Sequence, residues 1–61
     1  MNFYKISIRK RRAGMRPWIS MRFVEGEPWE AAKEELDKRG VFSVTVDAIS
    51  QHVYIRATRR D

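Results

Sequence analysis

The chain has 61 residues, with thirteen lysines and arginines against eight aspartates and glutamates and a formal net charge of +5. So short a chain buries only about 60% of the surface its unfolded form exposes, which leaves room for one core and excludes a second domain. No cysteine is present, so neither a disulfide framework nor a Cys-containing zinc site can hold the fold together, while 43% hydrophobic and 34% charged residues are the proportions of a globular chain.

Residues 2–10 alternate, with Tyr4, Ile6 and Ile8 on one side and Phe3, Lys5, Ser7 and Arg9 on the other. This is the period-2 signature of a half-buried strand. The same alternation argues against a signal peptide or membrane span, each of which needs a continuous apolar run. A loop at 11–16 contains Gly14 and leads to Pro17, a residue tolerated at the first position of a strand. A second strand is expected over 17–24, with Ile19, Met21 and Phe23 inward and Trp18, Ser20 and Arg22 outward. The two strands form a hairpin.

Glu25-Gly26-Glu27-Pro28 ends that strand and opens a helix over 28–39, since proline and acids both suit a first helical turn. Trp29, Ala32 and Leu36 make its apolar stripe. Glu30, Lys33, Glu34, Asp37 and Lys38 take the outer surface, with Glu34–Lys38 and Glu35–Arg39 at i,i+4 spacing. Gly40 suits the position after the helix. Alternation resumes at 41–47 (Phe42, Val44 and Val46 inward) and at 51–58 (Val53, Ile55 and Ala57 inward), giving a second hairpin with a frayed tail from Arg59 to Asp61.

The expected architecture is α+β, one domain over 1–61 in the order ββαββ: a four-stranded, mainly antiparallel sheet with one helix packed on one face. Its core would be Tyr4, Ile6, Ile8, Ile19, Met21, Phe23, Trp29, Ala32, Leu36, Phe42, Val44, Val46, Val53, Ile55 and Ala57. That burial only approaches the ordering cost of so small a fold, so oligomerisation or partner binding is expected to supplement it.

The charge is uneven. Seven bases and no acid fall before Glu25, whereas residues 25–39 hold six acids and three bases. Arg9-Lys10-Arg11-Arg12 and Arg16 put five cations at the tip of the first hairpin, placed to reach phosphates and release counterions; the competing use is a solubilising tip that deters edge aggregation. On the helix-free face the pattern displays Trp18, Tyr54 and Phe3 among Lys5, Arg9, Arg22 and Arg56, an arrangement able to stack unpaired bases or to serve as a protein-binding patch. His52, Tyr54 and Arg56 on the last strand would share that face, but a single histidine lacks the partner a catalytic site requires. Gly14, Gly26 and Gly40 are isolated and form no phosphate loop.

The expectation is therefore a non-catalytic, cytoplasmic binding module with no cofactor and no metal. Nucleic acid would be held by Arg9, Lys10, Arg11, Arg12, Arg16, Arg22 and Arg56, with Trp18 and Tyr54 as stacking groups. The alternative is a small inhibitor or modulator, of the kind viruses and mobile elements encode, that docks onto a larger protein. An acidic helix and a basic hairpin on one chain also allow a homodimer.

Overall fold

The computed structural model describes residues 2–59. Three strands, β1 (Phe3–Lys10), β2 (Trp18–Glu25) and β3 (Val41–Ile49), and two helices, α1 (Trp29–Leu36) and α2 (Gln51–Thr58), follow in the order ββαβα. β1 lies at the centre of a three-stranded sheet, antiparallel to both neighbours, in the order β2-β1-β3. β2 and β3 therefore run parallel at opposite edges, and α1 is the crossover that such a connection needs.

Ile6 and Ile8 on β1 are buried against Ala31 and Ala32 of α1, and Val24, Val41, Val44 and Val46 pack around them. The helix meets the sheet through Pro28, Ala31, Ala32 and Glu35, spaced i, i+3, i+4 and i+7 along one face. Trp29 and Leu36, expected inside, remain 63% and 53% exposed. Two small alanines allow close approach to the strands, which a tryptophan would prevent.

The expected strand at 51–58 is instead α2. β3 continues to Ile49, and the 48–51 segment has no Gly, Asn or Asp to make a tight hairpin turn. Ser50 caps the helix: its backbone is extended and its Oγ accepts from the Val53 N–H at 3.2 Å. Gln51, Tyr54, Ile55 and Thr58 also fit a helical face, so this short apolar segment satisfied both periodicities. The Tyr54 ring lies 4.7 Å from that of Phe3, whose side chain faces away from α1. α2 thus sits on the opposite side of the sheet, at the Phe3 end, and none of its residues is buried.

Two strand faces also differ from expectation. Seven residues separate β1 from β2, an odd number that places Lys10 opposite Trp18, Ile8 opposite Ser20 and Ile6 opposite Arg22. Trp18, Ser20, Arg22 and Val24 consequently share the α1 side, while Ile19, Met21 and Phe23 turn to the other. In β3 the register shifts between Arg9 and Lys10, so that Arg9 opposes Ser43 but Lys10 opposes Val41. Phe42 is the extra residue of this bulge. It is displaced from the core and left 52% exposed, while Val41 packs inward. The expectation for Arg60 and Asp61 lies outside the described residues.

Candidate nucleic-acid interface

The hairpin tip is built by local backbone geometry. The Met15 N–H donates to the Arg12 carbonyl at 3.0 Å, and Gly14, the third residue of this turn, has φ +80°, the conformation a type II turn requires there. The tip does not project freely. The Arg11 N–H donates to the Gly40 carbonyl at 2.7 Å, joining it to the connection between α1 and β3. A Cβ on Gly40 would lie 2.9 Å from the Arg11 carbonyl oxygen, and its φ is +90°; the position admits only glycine without strain.

This closure brings Arg39 beside the tip. Lys10, Arg11, Arg12, Ala13, Trp18, Arg39 and Gly40 line a concavity of about 610 Å³. On its far side, Arg9, Arg11, Pro17, Trp18, Ile19 and Phe42 line a second depression. Trp18 and Arg11 form the ridge between the two, with Trp18 36% exposed and the Arg11 guanidinium 5.4 Å from the centre of the Phe42 ring. The aromatic surface held among the cations is thus Trp18 and Phe42.

The ion pairs among the described residues lie elsewhere. Arg22 reaches Glu34 at 3.2 Å and Glu35 at 3.9 Å, and Lys38 reaches Glu35 at 2.7 Å. Glu35 is 4% exposed. Its carboxyl is held below the ordinary value chiefly by the hydrogen bond from Lys38; burial opposes the shift, and the charges of Lys38, Arg22 and Lys10 add to it. Its Oε2 is buried without a hydrogen-bond partner, so the nearby cations compensate the carboxylate through the field rather than through complete hydrogen bonding. Arg9, Arg11, Arg12, Arg16 and Arg39 have no carboxylate at ion-pair distance among the described residues. They present their charge to solvent.

The structure gathers some of the expected site residues and separates others. Lys10, Arg11, Arg12 and Trp18 line the main groove, Arg9 lines the second depression, and Arg16 is exposed on the loop between the strands. Arg22 lies on the α1 side and is engaged by acids, which corrects its expected place on the helix-free face; Trp18 is corrected in the same way. Tyr54 and Arg56 belong to α2, at the Phe3 end of β1, about 23 Å along the strand from Lys10 at ~3.3 Å per residue. They form no platform with Trp18. On a helix His52 and Arg56 share a side while Tyr54 turns away, so the trio expected on one strand face is split.

Arg39 and Phe42 were not legible as site residues: one read as the i,i+4 partner of Glu35 and the other as core. Only the Arg11–Gly40 contact and the bulge bring them in. Among the described residues, no group of three or more His, Asp or Glu side chains is arranged to hold a metal ion, and no helix is long and apolar enough to cross a membrane. Comparisons with protein-family models, curated proteins and solved structures find no match.

Proposed function

We propose that this chain is a non-catalytic nucleic-acid-binding module that takes single-stranded nucleic acid across the tip of its first hairpin. The observation that carries the reading is Trp18, partly exposed on the wall of a groove whose other side chains include Lys10, Arg11, Arg12 and Arg39. Cations that track phosphates beside an aromatic ring on which a base can stack are the two parts of sequence-tolerant single-strand binding. Unpaired bases are required because a duplex keeps its faces stacked and hidden. Arg9 and Arg16 extend the positive surface, whereas Arg22 neutralises α1 and is left out of the site.

Binding of a short mixed-sequence oligonucleotide, followed by anisotropy over a series of salt concentrations, tests this. The affinity should fall linearly with salt on logarithmic axes. Replacing Arg11 and Arg12 together by alanine should reduce the slope by about 1.4, at ~0.7 per single-strand phosphate contact. Trp18→Ala should cost about 1–3 kcal/mol with the slope unchanged, as loss of one stacked base does. Arg22→Ala should leave the slope as it was. Absence of binding at low salt would overturn the proposal.

A second reading, a small modulator that acts by docking onto a larger protein, draws on the exposed Trp29 and Leu36 of α1, because large apolar side chains in solvent mark interaction surfaces. Capture of one protein from its native source that persists after nuclease treatment and is lost in Trp29→Ala would favour it. Loss of the captured protein with nuclease would favour the first.

A further inference from the structure

The chain exposes more surface than its mass calls for. Its accessible area is 5170 Å², against about 4,200 Å² expected for a folded monomer of 7.3 kDa. Its radius of gyration is 12.5 Å, where about 10.5 Å is expected for this length. The excess is close to the ~800 Å² that each partner buries in a standard interface.

Part of the exposed apolar surface lines one sheet edge. Ile19 and Met21 of β2 are 57% and 59% exposed, and with the half-buried Phe23 they form a row on the face away from α1. β2 is an edge strand, and alternate residues of an edge direct their backbone N–H and C=O groups outward, free to pair with another strand.

We infer that β2 is the interface of a homodimer, in which two copies pair their β2 strands antiparallel around a two-fold axis at Met21 and make one continuous six-stranded sheet. The register follows from three conditions. Residues facing each other must share a sheet face. Pairing Met21 with Met21 of the second copy sets Ile19 against Phe23 on both sides of the axis, so the whole apolar row is joined. The alternative centred on Arg22 would put two arginines face to face, a like-charge pair that destabilises a sheet.

Charge supplies the case for a second copy over an unrelated partner. β2 is preceded by Arg16, ends at Glu25 and is followed by Glu27, so its two ends have opposite sign and antiparallel self-pairing brings them together. In this register Arg16 falls opposite Gly26, between the two glutamates of the second copy. The other edge lacks the apolar row: β3 shows Ser43, Thr45 and Asp47 on the same face and has α1 packed against its other side. Face-to-face stacking of two sheets is disfavoured because it would bury Lys5 and Arg9 of the central strand. The edge-paired dimer leaves both in solvent. It also leaves the tip groove open, drawing only Arg16 from the surrounding positive surface, so the cross-linking and oligonucleotide tests read the two proposals separately.

Because the chain contains no cysteine, a single introduced thiol tests the register. Residues paired across the axis have Cα atoms about 4.5–5.5 Å apart, within the span a disulfide bridges. Met21→Cys should form an interchain disulfide about tenfold or more faster than Thr45→Cys, an exposed position in the middle of the other edge, under the same oxidant. Untreated wild-type protein should sediment with the mass of two chains, and Met21→Arg with the mass of one while keeping its far-ultraviolet circular dichroism. Equal cross-linking rates for the two cysteine variants, or sedimentation of the wild type as a single chain, would overturn the inference.

Discussion

Glu35 carries more of the electrostatics of the fold than its place in an acidic helix suggests. It is buried over the sheet with Lys38 at 2.7 Å and Arg22 at 3.9 Å, and its carboxyl is lowered in the folded chain, first by the Lys38 hydrogen bond. A carboxyl lowered on folding contributes stability that is present above its unfolded value and is lost as the pH falls through its folded value. Urea midpoints measured from neutral to acid pH should therefore decline on the acid side, and Glu35→Gln should flatten that decline; an unchanged profile would show that other acids govern it. Gly40 is the second residue on which geometry depends. Gly40→Ala should destabilise the chain by about 1–3 kcal/mol in urea unfolding, because the position has positive φ and its Cβ would meet the Arg11 carbonyl. The same variant should weaken oligonucleotide binding by moving Arg39 away from the tip. That the chain turns at Gly40 was legible from the glycine, although α1 itself already ends at Leu36. That its carbonyl holds Arg11 was not, since a contact between residues 29 positions apart leaves no local trace in either segment.

The elements differ in how clearly they could be read. β1 and β3 announced themselves by alternation, and Ile6, Ile8, Val44 and Val46 occupy the inner face their spacing implied. The start of α1 followed from Pro28, but the helix expected to run to residue 39 ends at Leu36 with Asp37 as its C-cap, and its buried stripe is alanine with one glutamate. Hydrophobic size pointed to Trp29 and Leu36, but close packing on two isoleucines selected the smaller residues. β2 was read as a strand with its faces reversed, because alternation fixes which residues share a face and says nothing about which face meets the helix. Loop length decided that, together with the pairing of Arg22 to α1. α2 failed for a different reason. Its eight residues contain valine, tyrosine, isoleucine and threonine, all strand formers, and the cap at Ser50, with no Gly, Asn or Asp at 48–51 to make a turn, tips the balance. With no buried residue, α2 should be the least protected element in amide hydrogen exchange. Ser50→Ala should remove about 0.5–2 kcal/mol of its local stability, raising exchange within residues 51–58 while β1 keeps its protection. Equal loss of protection in both elements would show that α2 unfolds only with the whole chain.

At the scale of the molecule, charge and apolar surface are divided. The hairpin tip is cationic, α1 is acidic on its outer side, and the uncovered part of the sheet beside β2 is apolar. The sequence carried the first two as runs of like charge. The third appears only when register turns Ile19, Met21 and Phe23 away from α1. The tip groove was half legible in the same way: its run of cations is contiguous in the chain, whereas Arg39 arrives from the far end of α1 and Trp18 stands on the opposite face from the one expected. In the proposed function this groove holds a nucleic-acid strand with Trp18 as the stacking surface. Trp18 and Trp29 are the two tryptophans, so Trp29→Phe leaves Trp18 as the sole reporter. Titrating that variant with a single-stranded oligonucleotide should quench its fluorescence in a saturable manner, with an affinity that falls as salt is raised and a much smaller response to the same sequence as a duplex. Fluorescence that does not change on adding the single strand at low salt would contradict the claim.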